Sequence, residues 1–230
     1  MRKPVSICAF LIFLLAAIGT DQSVMATPVQ QSPQEDYLIM NGKLWRNLYL
    51  GVKGNPYFMS GDYLRGDIYF NGRLFMDRTF KYDIYNDEIV LWINSSTIII
   101  LNKEMVKEFN INYPGDRFHV VNMGEDSTSV LSGFVNVYYE GPTALYVKYR
   151  KEIEILAVDN KYDLFIQVHR IFIRKDNQIV QVSGKRELLK ILSDRKAELK
   201  SYIKHNKLRV AKNEPRSFIP VLEYYDKLRQ

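Results

Sequence analysis

The repeated alternation of apolar and polar residues over about residues 44–182 is the feature that most constrains how this chain can fold. Within residues 74–84, Leu, Met, Phe, Tyr and Ile alternate with Asp, Thr and Lys. A period of two places one face of a strand in the core and the other in water. Short turn signals separate the segments: Asn71-Gly72, Gly141-Pro142, Asp159-Asn160 and Asp176-Asn177. Because turns this short join antiparallel neighbours, the sequence predicts a mainly β fold, an antiparallel curved sheet or partial barrel of about ten strands.

The pattern becomes helical after Ser183. Apolar residues recur near the spacing of one helix face over residues 185–205, although Arg195 or Lys196 interrupts the row. A second helix is predicted to begin at Ser217. We therefore expect two C-terminal helices that bury their apolar faces against the open face or the mouth of the sheet.

Residues 1–26 have the order of a secretory signal peptide. Arg2 and Lys3 precede an almost wholly apolar run over residues 5–18, and a cleavage site of small residues ends at Ala26. The apolar run is shorter than the roughly 20 residues of a membrane-spanning helix. The sequence predicts cleavage between Ala26 and Thr27, and hence an exported protein in the periplasm or outside the cell.

The remaining chain divides by composition into three parts. Residues 27–40 are predicted to be a flexible leader, residues 41–182 the antiparallel β domain, and residues 183–230 a basic helical segment that packs on the sheet. The only cysteine, Cys8, lies inside the signal peptide. We therefore expect the mature protein to contain no disulfide, no thiolate nucleophile and no metal site with cysteine ligands.

Positive charge is concentrated at the C-terminal end. Residues 183–230 contain 13 Lys and Arg but only 6 Asp and Glu, whereas the whole chain has a net charge of +6. Such a segment is either a solvated helix face or a docking surface for an acidic partner or anionic headgroups. Glu187, Asp194 and Glu198 interrupt the basic run, which favours the solvated face.

Several short motifs carry a resemblance to known proteins. They are residues 45–49 (WRNLY), 54–58 (GNPYF), 66–72 (GDIYFNG), 80–84 (FKYDI), 203–208 (IKHNKL) and 224–226 (YYD). Together they resemble a family of uncharacterised exported proteins of Bacteroidetes. The resemblance implies export and a bacterial envelope setting, and it assigns no activity and no functional residue.

The three histidines, His119, His169 and His205, stand in no spacing typical of a metal site. No serine-hydrolase elbow, P-loop or dinucleotide-binding glycine motif is present. The sequence therefore predicts no catalytic, cofactor-binding or metal-binding residue and no cofactor, with structural roles for the histidines.

Carboxylates are the remaining candidates for acid–base chemistry. Asp83 lies close to Asp87-Glu88 in the sequence, and Glu125-Asp126 form a second group. Both groups lie beside turn residues, and the alternation assigns Asp83 and Lys148 to the wet face of their strands. We therefore expect these acids to be solvated rather than catalytic.

Tyrosine-rich segments allow one further site. Tyr138, Tyr139, Tyr146 and Tyr149 form either a platform for sugars or a partner protein, or part of an aromatic core, which we favour.

The sequence as a whole favours a non-enzymatic envelope protein whose curved sheet binds a hydrophobic ligand or a protein partner. The alternatives are a hydrolase of cell-envelope polymers and a docking subunit that uses its basic C-terminal helix. No nucleic-acid partner and no transmembrane span in the mature chain are expected.

Overall fold

The computed structural model of the protein describes residues 37–125 and 129–230. The signal peptide, its cleavage between Ala26 and Thr27, most of the leader, Cys8 and Asp126 lie outside these residues, so the expectations for them stay predictions. None of the helices in the described ranges combines the length and the apolar character that crossing a bilayer requires.

The described residues form one sheet of twelve strands. The strands are β1 (Gly42–Leu44), β2 (Val52–Lys53), β3 (Leu64–Phe70), β4 (Arg73–Asp83), β5 (Glu88–Asn94), β6 (Thr97–Leu101), β7 (Val106–Tyr113), β8 (Asp116–Asn122), β9 (Phe134–Glu140), β10 (Ala144–Val158), β11 (Tyr162–Lys175) and β12 (Gln178–Val182). Their spatial order is β1-β6-β5-β4-β3-β7-β8-β9-β10-β11-β12, and β2 adds to β11 off this path. The predicted mainly β fold with an antiparallel curved sheet is therefore confirmed, and among the described strands only the β2–β11 pair is parallel.

The turn at Asn71-Gly72 illustrates how local chemistry sets the strand register. Asn71 has φ 48° and Gly72 has φ 77°, the left-handed values that a two-residue hairpin turn requires. Phe70 pairs directly with Arg73 across this turn. The hairpin predicted from the sequence is confirmed.

Aromatic contacts show how strongly the sheet curls. Tyr82 on β4 and Phe134 on β9 have ring centroids 5.8 Å apart. Four strand spacings separate β4 from β9, which in a flat sheet would amount to about 19 Å. These rings therefore meet across the concave side, where they join a continuous apolar core. Its largest buried members include Phe58, Phe70, Phe80, Tyr82, Phe109 and Phe134.

Three α-helices follow the sheet: α1 (Lys185–Ile191), α2 (Lys196–His205) and α3 (Ile219–Lys227). The first predicted helix is thus divided in two by a short 3₁₀ turn over Ser193–Arg195, where the apolar spacing was already interrupted. The second predicted helix begins two residues later than expected, at Ile219, after a 3₁₀ turn.

The helices cover the β10–β12 end of the sheet. Leu188 of α1, Leu199 of α2 and Leu222 of α3 pack in one buried cluster with Leu145 of β10 and Ile173 of β11. The described residues therefore contain a core filled by the sheet's own aromatic residues, a second core between the helices and the sheet, and a smaller third cluster. The third cluster consists of Leu131, Val135, Ala144, Tyr146 and Phe172.

Candidate functional site

The histidines lie on three separate elements. His119 on β8 is 3.4 Å from the carboxylate of Glu108, and His169 on β11 is 2.7 Å from the carbonyl oxygen of Lys212. His205 is exposed at the end of α2. Within residues 37–125 and 129–230, no three His, Asp or Glu side chains converge closely enough to hold a metal ion.

The carboxylate of Asp87 is the centre of a largely buried ionic group, which we call the Asp87 cluster: Asp87, Tyr82, Lys103 and Lys148. Its Oδ2 accepts hydrogen bonds from Nζ of Lys103 at 2.8 Å and Nζ of Lys148 at 2.9 Å. Its Oδ1 accepts a hydrogen bond from the Tyr82 hydroxyl at 3.0 Å. Lys103 also pairs with Glu125 at 2.9 Å, so this one lysine joins the two acidic groups seen in the sequence.

The two lysines of the Asp87 cluster keep the Asp87 carboxyl group in its ionised form. Burial acts to raise the pKa of Asp87, but the two lysine ammonium groups outweigh it and hold that pKa below its ordinary value. Burial lowers the pKa of Lys148 despite its carboxylate partner. The cluster therefore joins the β4–β5 turn to β10 through a fully partnered carboxylate, which is a structural arrangement.

Gly133 is the residue that makes room for this carboxylate. It has φ 67°, and a Cβ built on it would lie 2.0 Å from Oδ2 of Asp87. Any side chain here would have both to adopt a left-handed backbone and to displace the charged group.

Asp83, like Lys148, was predicted to lie on the wet face of its strand but is buried. It is 3% exposed rather than solvated. Its carboxylate accepts hydrogen bonds from the backbone N–H groups of Tyr85 and Asn86 and from Nδ2 of Asn86, each at 2.9 Å. The expectation of solvated acids was wrong here because the turn folds over its own capping residue.

Glu88 is the cross-strand neighbour of Asp83 and borders two cavities of about 520 and 260 Å³. Burial, followed by the charge of Asp83, raises the pKa of Glu88, and burial raises that of Asp83. Acid–base hydrolysis uses two carboxyl groups that both reach the substrate. Asp83 also lines the smaller of these cavities, where both of its carboxylate oxygens accept hydrogen bonds from Tyr85 and Asn86.

The four tyrosines are parts of the core and its margin rather than an open platform. Tyr146 is buried, and the hydroxyls of Tyr138 and Tyr149 are 2.7 Å apart. The Tyr139 hydroxyl donates to Oδ2 of the buried Asp226 at 2.9 Å.

Buried side chains, Phe58, Tyr82 and Phe134 among them, pack on the concave side of the sheet. Binding of a hydrophobic ligand or of a protein partner by the curved sheet stays a prediction from the sequence.

Acidic side chains in the C-terminal segment are held by internal partners. Ser183 donates to Glu187 from its hydroxyl at 2.7 Å, Lys175 donates to Asp194 at 2.6 Å, and Arg195 is 3.4 Å from Glu198. These are the three acids that interrupt the basic run in the sequence. Each is directed toward a group of its own chain.

Basic side chains of α2 stand in contrast to these acids. Lys196, Lys200 and Lys204 are exposed and recur every fourth residue, which places them along one side of the helix over about 12 Å. Among the described residues, their ammonium groups form no ion pair and no hydrogen bond. Leu199 and Ile203 anchor the adjoining side of the helix in the core. We call these three residues the lysine row.

Comparisons with protein-family models, curated proteins and solved structures found no match to this chain. The resemblance to exported proteins of Bacteroidetes therefore stays a prediction from the sequence.

Sequence reasoning missed the residues whose importance depends on distant contacts. Lys148 has the alternation of a wet-face residue, yet its side chain is only 14% exposed. Arg216, which bonds to Asp116 across 100 positions of the chain, carries no local signal either. By contrast, the four-residue spacing of the lysine row was readable once α2 was recognised.

Proposed function

We propose that this chain is a non-enzymatic exported protein of the cell envelope that binds an acidic protein partner through the lysine row of α2. The observation that carries the proposal is that Glu187, Asp194 and Glu198 are bonded to groups of their own chain whereas the side chains of the lysine row are not. Like charges at four-residue spacing destabilise a helix by roughly 0.2–0.5 kcal/mol per pair. An anionic partner would relieve this repulsion between the lysines, and the relief would contribute to binding.

A protein partner is favoured over a lipid surface by the position of the apolar residues. Helices that lie on membranes bury an apolar face among the lipids. Here the apolar face of α2 is already packed on the sheet through Leu199 and Ile203. Among the described residues after Val182, no large apolar side chain is exposed.

The proposal is tested by capture from native envelope extracts and reconstitution with the captured protein. The variant replaces Lys196, Lys200 and Lys204 by Gln, which keeps helix propensity and removes three charges. The matched control replaces Lys43, Lys107 and Lys161, three exposed sheet-domain lysines, by Gln.

We expect the wild type and the control to retain one acidic protein whose purified form binds less tightly as salt rises. The lysine-row variant should lose that protein. Equal retention by all three chains, or binding only to anionic vesicles, would overturn the proposal.

Export is tested separately by N-terminal sequencing of the protein recovered from the periplasm or the medium. The expected first residue is Thr27. A chain that keeps Met1 in the cytosol would contradict export while leaving the binding result interpretable.

A further inference from the structure

Strand β12 forms an open edge of the sheet. It pairs with β11 from Ile171 opposite Val182 to Lys175 opposite Gln178, and it stands last in the strand order. Along an edge strand, alternate residues direct their backbone N–H and C=O groups away from the partner strand. Among the described residues, no group bonds to these outward backbone atoms of residues 178–182. A row of backbone donors and acceptors is therefore open to a further strand.

The two ends of the sheet differ in how they resist such pairing. Natural edge strands are protected by shortness, by lysine, by proline or by a bulge. β1, at the opposite end, has three residues and one of them is Lys43. β12 has the five residues QIVQV, without a charge or a proline, and its register with β11 runs without a shift. β12 therefore lacks the features that keep a second strand away.

A groove of about 610 Å³ lies between β12 and α1. Val180 and Gln181 of β12 both line it. Because neighbouring residues of a strand point to opposite faces of the sheet, a groove that touches both passes the outer edge of β12. Glu187, Lys190 and Ile191 of α1 line the other wall, at the three- and four-residue spacing of one helix side. An extended segment in the groove would therefore lie along the open edge of β12.

The groove contains an apolar position that the helices leave uncovered. Val180 is 40% exposed, although its cross-strand neighbour Ile173 is fully buried beneath the helices. Val182, two residues further along the same face of β12, is only 2% exposed. Ile191 lines the groove from the opposite wall. An apolar side chain that enters the groove would remove Val180 from water.

Lys190 is the charged residue of the groove that keeps its charge free. It is exposed, and its ammonium group has no ion pair and no hydrogen bond among the described residues. The other charged residues of the lining are bonded within the chain: Lys175 to Asp194, Asp176 to Arg229 and Glu187 to Ser183. The unmatched charge of the groove is therefore positive, and it favours an occupant with an acidic side chain.

We propose that this groove binds an extended peptide segment of a partner protein, which adds to β12 as a further strand and directs apolar and acidic side chains toward Val180 and Lys190. In recognition by strand addition, main-chain hydrogen bonds give affinity and alternate side chains give specificity. Alternate side chains share one face of a strand, so one segment can meet both residues. The groove lies on α1 and β12 rather than on the lysine row, and the inference does not depend on the proposed function.

The probe is a blocked peptide in which threonine alternates with valine, glutamate and valine, so that the last three share one face. The experiment titrates the full mature chain with this peptide at constant ionic strength and follows the backbone amides of residues 178–182 by nitrogen-15 NMR and by hydrogen exchange. The same peptide with every backbone amide methylated keeps the side chains but cannot donate to a strand.

We expect saturable shifts of the β12 amides and slower exchange of those that point outward. The methylated peptide should not bind. Lys190→Gln should weaken binding by about two- to fivefold, because it removes an exposed ion pair. Lys185→Gln is the matched control, since Lys185 is an exposed lysine of the same helix that does not line the groove, and it should bind like the wild type.

Val180→Lys tests the edge itself. A lysine at this exposed position is the natural device against strand addition, so the variant should keep its fold, as judged by its NMR spectrum, and should no longer bind the peptide. The proposal is overturned if the peptide leaves residues 178–182 unchanged, if the methylated peptide binds equally well, or if Lys190→Gln binds like the wild type. Protection of β12 that grows with protein concentration in the absence of peptide would assign the edge to a second copy of the chain and would likewise overturn it.

Discussion

Lysines occupy opposite situations in two regions of this molecule. In the Asp87 cluster, Lys103 and Lys148 converge on one carboxylate and are largely withdrawn from water. In the lysine row, Lys196, Lys200 and Lys204 stand in solvent without an anionic partner among the described residues. The comparison teaches that the partner of a charge, rather than the charge itself, separates a structural site from a candidate docking surface.

The energetic consequences of the two arrangements differ accordingly. Removing one member of a buried ion pair leaves an uncompensated charge and costs about 3–5 kcal/mol. Removing an exposed charge changes stability by only a few tenths of a kcal/mol. Variants in the Asp87 cluster should therefore act on folding, whereas variants in the lysine row should act on binding.

The largest effect is expected from Asp87→Asn. The substitution keeps the shape and the left-handed backbone preference but leaves Lys148 without a carboxylate and Lys103 with only Glu125, so the free energy of unfolding should fall by about 3–5 kcal/mol. Urea denaturation measures this change. Asp77→Asn is the matched control, because Asp77 has φ 52° but is exposed and pairs with Arg65 at the surface, and it should cost less than about 1 kcal/mol. Similar losses in both variants would remove the distinction between the two kinds of charge.

Gly133→Ala should give the next largest effect. A left-handed alanine costs about 1–2 kcal/mol, and here its Cβ also displaces the Asp87 carboxylate. Gly72→Ala is the control, since Gly72 has φ 77° but open space where the Cβ would lie. The loss for Gly133→Ala in urea denaturation should exceed that of the control by about 1 kcal/mol or more. Equal losses would show that the carboxylate does not depend on this glycine.

Asp87 and Glu88 should make the free energy of unfolding change with pH in opposite directions. The pKa of Asp87 is below the ordinary Asp value of 3.8, so its contribution is present above that pH and is lost as the pH falls through the lowered value. The pKa of Glu88 is raised above 4.5, so the native state holds this proton more tightly and stability falls as the pH rises through the raised value.

The two acids together predict a maximum of stability at mildly acidic pH. Glu88→Gln should reduce the decline between mildly acidic and neutral pH, leaving the part that comes from Asp83, whose pKa is also raised, and the loss at low pH. Thermal unfolding across this pH range measures both parts. If the fall in stability toward neutral pH were unchanged in Glu88→Gln, groups other than Glu88 would cause it.

The smallest effect on stability is expected from the lysine row. Replacing Lys196, Lys200 and Lys204 by Gln relieves two like-charge pairs at four-residue spacing and should raise the free energy of unfolding by about 0.5 kcal/mol at low salt. The gain should shrink as salt screens the charges. A marked loss of stability would show that these lysines have structural partners.

Local patterns in the sequence predicted much of the fold. The Asn71-Gly72 turn and the alternation from Phe80 onward depend on neighbours in the chain, so the strands and this hairpin followed directly. The alternation before Phe80 was wrong: Leu74 and Met76, predicted to be buried, are 50% and 52% exposed, because the register of β3 with β4 shifts between them and Phe80. The break between α1 and α2 could also be read from the interrupted apolar spacing at Arg195 or Lys196. The short strands β1 and β2 were harder, because they are held by distant strands.

The candidate sites were less accessible to sequence reasoning. Alternation assigns Lys148 to the wet face, but the curl of the sheet brings it to Asp87, which lies 61 positions earlier in the chain. Arg216 meets Asp116 across 100 positions. Since such contacts arise from strand order and curvature, no spacing in the sequence indicates them.

The most direct test of the proposed docking surface is hydrogen–deuterium exchange of the full mature protein with and without the purified acidic partner. The account predicts slower exchange in α2 on binding, with the β4–β5 turn around Asp87 unchanged. Slower exchange confined to the sheet, with α2 unaffected, would contradict it.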